Sequence, residues 1–332
     1  MPPIPVFENP TREFFQTSIQ PSRRPAILRH LNIGPCLAKW SPDYLALSVS
    51  SHKQVVVHES TCNRLRFLNK NFVYTTLPFC DFVEKAVAGG EKSQNGRKYY
   101  YYRALASGDP RSSRADFRAD FPELAGDFVF PDVMEPETVF SSVFRCGSAD
   151  LGLFLHYDVM DNVLCQIRGR KRAILFDPED VDYLYLQGGD KSLIHDPENV
   201  DLNVFPLFAK AASWTCDMDE GDVLFIPAMW MHYMRSIEFS VAVNVFWCNL
   251  PREIYDAKDT YGNKDLLPYT RATQGVDRAL KQLDVLPRDL QRFYARMLRA
   301  KIDKFLTITE PLRKETNGFG CGAAEDCSAQ FS

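Results

Sequence analysis

The chain has 332 residues, 45% of them hydrophobic and 13% aromatic, with a formal net charge of −4. That composition suits a folded protein with a sizeable core and excludes a disordered chain. It also excludes a protein that holds polyanions through global positive charge, so any nucleic-acid partner needs a local basic patch. No run approaches eighteen apolar residues, and the opening Met1–Phe15 lacks a basic-then-apolar leader pattern. The expectation is an intracellular protein without a membrane span, cytoplasmic before nuclear. Nine cysteines, an odd number with no CxxC pair, fit reduced thiols; Cys321 and Cys327, in a Gly-, Ala- and Ser-rich tail, make a poor metal clip.

From residue 9 to 95 the chain is mixed. Arg23–Leu28 reads as a turn into a strand, Gln54–His58 (QVVVH) as a strand, and Ala86–Gly96 as a polar break. From Tyr99 to Trp247 short strands alternate with turn residues: Phe140–Arg145, Leu151–Asp158, Val163–Ile167, Ala173–Phe176, Asp222–Ile226, Met231–Arg235 and Ser240–Trp247. So many short strands predict a sandwich or barrel, and a double-sheet, cupin-like jelly roll (a double-stranded β-helix) with flanking helices fits the count. Beyond Pro251 the spacing predicts helices over Asp277–Asp284 and Arg288–Leu306. In the second, Leu290, Phe293, Tyr294, Met297 and Leu298 make an apolar face, with Arg288, Arg292, Arg296 and Arg299 opposite. The expected organisation is an N-terminal α/β segment (1–96) packing on the core, a jelly roll (97–266), C-terminal helices (267–314) and a flexible tail (315–332).

His156-Tyr157-Asp158 and the distant His232 offer two imidazoles and a carboxylate. Those are the ligands of a facial non-haem Fe(II) site, which leaves positions open for a cosubstrate and oxygen. In Leu151–Asp158 apolar residues alternate with Gly152, Phe154 and His156, so an extended segment places His156 and Asp158 on one face. Downstream, Glu220-Gly221-Asp222 reads as a turn into a strand that Pro227 ends, and a new strand delivers His232. A lone HxD is common by chance, and a strand histidine is more often structural. Lys171 opens an apolar strand after the Arg168-Gly169-Arg170 turn. A buried lysine needs an anion, yet a solvated lysine also fits, and Arg170 and Arg172 flank it.

These residues resemble the JmjC family of Fe(II)/2-oxoglutarate oxygenases, which are jelly-roll enzymes. His156, Asp158, Asn162 and Lys171 match its first motif, Gly221–His232 its second, and Val243–Trp247 its closing strand with Asn244. The resemblance implies iron on His156, Asp158 and His232. It also implies 2-oxoglutarate held by Lys171, Asn162, Asn244 and a tyrosine of the 99–102 run, taken as Tyr101, with O2 as the other cosubstrate. Lys70–Tyr74, Thr76–Phe79, Asp259–Asp265 and Asp277–Lys281 are further similar to the wybutosine-synthesizing tRNA hydroxylases within that family, from about residue 20 to 306. That likeness implies hydroxylation of the aminocarboxypropyl side chain of a wyosine-type base, 3′ of the anticodon of tRNA(Phe).

RNA binding asks for Lys and Arg beside stacking aromatics. Arg97–Arg118, next to Tyr99–Tyr102, and Arg288–Lys304 each carry six basic against two acidic side chains. A solvated face explains both equally simply, and the apolar face of the last helix is a candidate homodimer surface. The competing functions are a JmjC hydroxylase of asparaginyl, histidyl or lysyl side chains and a catalytically silent cupin-type binding module.

Overall fold

Among residues 3–90, 96–187 and 189–309, which the computed structural model describes, the chain forms twelve strands. They are β1 (Val6–Glu8), β2 (Ala26–Arg29), β3 (Gln54–Ser60), β4 (Val73–Pro78), β5 (Tyr99–Arg103), β6 (Val139–Gly147), β7 (Asp161–Arg168), β8 (Lys171–Phe176), β9 (Ser213–Met218), β10 (Val223–Ile226), β11 (Met231–Ser236) and β12 (Ser240–Trp247). Nine build one sheet in the order β1-β2-β10-β7-β12-β6-β5-β3-β4, and three build a second, β11-β8-β9. Apart from the parallel β1/β2 pair, every pairing between these strands is antiparallel. This is the jelly-roll core expected from the punctuation of short strands. Residues before 97 contribute β1 to β4 directly to the large sheet. The tail from 315, with Cys321 and Cys327, lies outside the described residues.

The pleat sorts side chains into two layers. Val163, Cys165 and Ile167 of β7, Val241, Val243, Val245 and Trp247 of β12, and Tyr100 and Tyr102 of β5 share one core with Phe15, Trp40, Phe79, Phe82 and Phe117 of the N-terminal and connecting segments. On the opposite face Leu164, Leu224 and Ala242 pack against Ala173, Leu175, Met218 and Met234 of the small sheet. The site grows from that second, inter-sheet face. The helix Phe79–Val87 sits in the first layer, burying Phe79, Phe82, Val83 and Ala86 at i, i+3, i+4 and i+7.

Two expectations need correction. Leu151–Asp158 is not one strand: it forms bridges only at Gly152, to Arg64 and Arg235, and at His156, to Lys191 and His232. Four residues on one side thus span three on the other, so the segment carries an extra residue, as a β-bulge does. The alternation breaks there: Leu153 joins a cluster with Tyr101, whereas Leu155 joins Ile174 and Tyr233. The first C-terminal helix runs Leu267–Leu283, ten residues longer at its start than the predicted one; the next runs Arg288–Thr309. Pro268 falls at its start, where the missing N–H costs nothing.

Two compact units divide at residues 270 and 271. Within the second, Phe293, Tyr294 and Met297 are exposed. No described helix is long and apolar enough to cross a membrane.

Candidate metal centre and its cavity

His156, Asp158 and His232 meet: one ligand atom from each lies within 4.8 Å of the others. The two histidines are direct cross-strand partners. His156 N donates to the His232 carbonyl at 3.1 Å, and His232 N donates to the His156 carbonyl at 2.7 Å. Their ring centroids stand 4.3 Å apart. Met229, at φ 71° in the turn between β10 and β11, donates its N–H to the Asp158 carbonyl at 2.8 Å. That turn is anchored in turn. Ala228 N donates to Asp161 Oδ1, Asp161 also accepts two bonds from the Arg23 guanidinium, and Trp230 Nε1 donates to the Arg23 carbonyl. The expected Glu-Gly-Asp turn is present, with Gly221 at φ 92°, a conformation that glycine adopts without strain.

Backbone contacts also select the imidazole tautomers. Nδ1 of His156 lies 2.9 Å from the Phe154 carbonyl, and Nδ1 of His232 lies 3.0 Å from the Trp230 carbonyl. A carbonyl only accepts, so each Nδ1 carries the proton and each Nε2 keeps its lone pair. Burial, reinforced by the neighbouring His232, holds His156 well below the ordinary histidine range and therefore neutral. Burial raises Asp158, opposed by His232 and by Arg145. A divalent cation relieves that cost, since it would replace a buried carboxylate's lost hydration. Two lone-pair nitrogens and one carboxylate, 3.5 Å between His232 Nε2 and Asp158 Oδ2, are a fitting donor set for a six-coordinate metal with open positions.

His156 and Asp158 open onto a cavity of ≈ 290 Å3. Arg145 and Arg103 are among the residues that line it, and Lys171, Asn162 and Asn244 belong to the strands of the same inter-sheet face. Arg145 Nη1 donates to the Tyr101 hydroxyl at 2.7 Å, while its buried Nε has no partner. Lys171 is 5% exposed and its ammonium makes no hydrogen bond or ion pair with a described residue; burial, together with Arg145, lowers it to about 8. Asn244 Nδ2 donates to Asn162 Oδ1 at 3.0 Å, which leaves Asn162 Nδ2 and Asn244 Oδ1 buried and unsatisfied. Unpaired buried cations and amides are costly, and an oxygen-rich anion beside the triad would satisfy the donors among them, Arg145 Nε, Asn162 Nδ2 and the Lys171 ammonium.

The pleat distinguishes the four tyrosines. Tyr101 lines the cavity with Tyr99 in the same cluster, whereas Tyr100 and Tyr102 face the other core. All four are buried, so none of them is free to stack on RNA. The basic run around them is dispersed: Arg103 lines the cavity, Lys98 pairs with Glu59, and Arg114 and Arg118 lie over Phe140 and Phe130. Arg145, Arg103 and Asp190 were missed as site residues. Arg103 and Arg145 carry the signal that marks Lys171, a charge within or ending an apolar strand, whereas Asp190 sits in the loop after β8 and carries none; only the tertiary fold shows that they share a cavity.

The segments with no part in holding a metal build the outer cavity. Tyr74 of β4, with Tyr261 and Asn263 of the 259–265 loop, line it. Asp259, buried, accepts from the N–H groups of Tyr261, Gly262 and Lys264, and the Tyr157 hydroxyl donates to Asp265 at 2.7 Å. The loop is thereby tied to the residue between the first two triad members.

Residues 11–253 match the family described as a cupin-like domain. The chain is 47% identical to tRNA wybutosine-synthesizing protein 5 of Homo sapiens, over 89% of this chain and 94% of that protein. The protein of the same name in Danio rerio is 46% identical, over 93% and 94%. To tRNA wybutosine-synthesizing protein 4 of Gibberella zeae it is 37% identical over 89% of this chain, but over only 28% of that much longer protein. The chain belongs to the cupin-like, JmjC-type family and, within it, to the group of the wybutosine-synthesizing protein 5 relatives.

Proposed function

We propose that this protein is an intracellular, cytoplasmic Fe(II)/2-oxoglutarate-dependent hydroxylase. Its substrate is the aminocarboxypropyl side chain of the wyosine-type base 3′ of the anticodon in tRNA(Phe). The observation that carries the reading is a lone-pair-bearing His-Asp-His triad beside a cavity lined by Arg145, whose buried Nε has no partner, together with the buried Lys171 on the neighbouring strand β8. The names of the relatives, which place them in wybutosine synthesis, support the substrate.

His156 Nε2, His232 Nε2 and Asp158 would hold the iron, and Lys171 and Tyr101, with Arg145, the distal carboxylate of 2-oxoglutarate. Asn162 and Asn244 would satisfy the end near the metal. Bound together, iron, 2-oxoglutarate and O2 supply oxidative decarboxylation to succinate and carbon dioxide, with insertion of one oxygen atom into a C–H bond. The chain's own residues do the rest. The backbone carbonyls of Phe154 and Trp230 fix both imidazoles. Arg145 holds the Tyr101 hydroxyl in place as an acceptor, leaving its proton for an incoming carboxylate. The aromatic wall of Phe154 and Phe67, 4.3 Å between centroids, keeps water away from the reacting carbon. The apolar faces of the C-terminal helices would form a homodimer surface and their arginines would contact tRNA phosphates.

Mass spectrometry of nucleosides from the tRNA(Phe) of cells lacking the gene tests the reading. The hydroxylated base should vanish and its precursor, lighter by one oxygen, should accumulate. An unchanged profile would contradict it and point to a protein side chain as substrate.

A further inference from the structure

One cation in the cavity has no task in the chemistry above. The Arg103 guanidinium makes no hydrogen bond or ion pair with any described residue. It stands over the ring of Tyr261, 5.2 Å from the centroid. Partial burial, with Arg145 close by, lowers it to about 10. Lys171 and Arg145 lie behind the cavity on β8 and β6; Arg103 ends β5 and reaches the outer wall with Tyr261, itself 41% exposed. A single cosubstrate that already occupies the metal and the Lys171 region leaves this guanidinium free.

An opposite charge stands on the same wall. Asp190 spends Oδ1 on Lys191 Nζ at 2.5 Å, and its Oδ2 has no hydrogen bond to a described residue. Arg103 and Asp190 both act electrostatically on Asp158, from opposite signs, so both lie near the reacting end. An aromatic series lines the same cavity: Phe154 stacks on His156 at 4.3 Å, Phe67 lies tilted against Phe154 at 4.3 Å, and His58 contacts Phe67 and Tyr74 at 5.4 and 5.1 Å.

We infer that the outer cavity reads an α-amino acid carried on a planar ring, Arg103 receiving its α-carboxylate, Asp190 its α-ammonium, and the Phe154–Phe67 wall the ring. This inference rests on the hydroxylase reading and deepens it by naming what selects the substrate. An amino acid carries both charges, the cavity lining offers a partner of opposite sign for each, and Arg103 offers a carboxylate a planar two-donor fork. A base lacking the amino acid leaves the Arg103 guanidinium without an anion and Asp190 Oδ2 without a donor, which is how a polar site rejects an analogue.

The test uses full-length protein loaded with Fe(II) and 2-oxoglutarate under anaerobic conditions, so that binding is read without turnover. The probes are tRNA(Phe) carrying the aminocarboxypropyl base, the same tRNA with its carboxyl methyl-esterified, and the same with its amine acetylated. Wild-type protein should prefer the free amino acid by about 10- to 100-fold over either derivative. Arg103→Gln should lose the preference over the ester alone, and Asp190→Asn the preference over the acetylated amine alone. Arg103→Gln should melt no lower than wild type, because it removes a partly buried charge that no described carboxylate pairs. Variants that keep wild-type preferences, or wild-type protein that shows none, overturn this inference while the hydroxylase reading stands on its own turnover. Failure of the wild-type protein to oxidise the tRNA in air removes the reading and the inference together.

Discussion

The two faces of the nine-stranded sheet share the same backbone and differ in almost everything else. On one, Val163, Cys165, Val243, Val245, Phe144 and Tyr102 meet aromatic helices and loops in an apolar core. On the other, one residue along each strand, stand Asn162, Gln166, Asn244, Arg145 and Tyr101. There Asn162 Nδ2, Gln166 Oε1, Asn244 Oδ1 and Arg145 Nε lack partners. The first face is built for stability. The second holds polar groups in an arrangement that is poor for stability and good for receiving ligands, and such departures from core packing mark functional sites.

That contrast predicts a clean separation of effects. The largest belongs to the triad: Asp158→Ala or His232→Ala should abolish Fe(II) binding and lower coupled hydroxylation by about 10³-fold or more, since removing a member of a unit loses the whole. Metal-binding titrations check this, and the metal-free proteins should melt within a few degrees of wild type. Across the sheet, Phe144→Ala should instead cost about 3–5 kcal/mol of stability in denaturant melts while leaving the 2-oxoglutarate KM of the folded fraction unchanged.

Lys171 sharpens the contrast through pH. Its folded value near 8 lies below the ordinary 10.5, so between those values the unfolded chain binds more protons and stability rises with pH. Lys171→Met should therefore erase a pH-dependent gain that wild type shows between pH 8 and 10.5. The groups acting on the ammonium are Arg145 and Cys146, and Arg145 stays charged throughout that window. 2-Oxoglutarate affinity should run the other way, falling in wild type as pH passes 8 and remaining low and flat in the variant. The smallest expected effect separates adjacent tyrosines. Tyr101→Phe should raise the 2-oxoglutarate KM by about tenfold, the worth of one hydrogen bond to a charged group, and Tyr102→Phe should leave it unchanged. Equal effects would place the wrong tyrosine in the cavity.

Much of this was legible in the residues. His232 could be placed because the Glu-Gly-Asp turn and Pro227 punctuate two strands visibly, and Lys171 because a lysine opening an apolar strand demands an explanation. Phe79, Phe82, Val83 and Ala86 carry helical spacing too, although the strand just before them obscures it. The bulge between Gly152 and His156 was not legible: strict alternation in that segment predicts a regular strand, and only its pairing with β11 exposes the extra residue. Nor was the shared cavity of Arg103, Arg145 and Asp190, since residues 103, 145 and 190 converge only through the sheet order β12-β6-β5 and the loop after β8.

The most direct test of the central claim is the stoichiometry of the reaction. Protein loaded anaerobically with Fe(II) is given 2-oxoglutarate, tRNA(Phe) bearing the aminocarboxypropyl base, and then air, and succinate and hydroxylated nucleoside are counted together. The account predicts about one succinate per hydroxyl introduced, with succinate release falling sharply when the tRNA is omitted. Succinate formation indifferent to the tRNA, or the absence of any metal-dependent turnover, would contradict it.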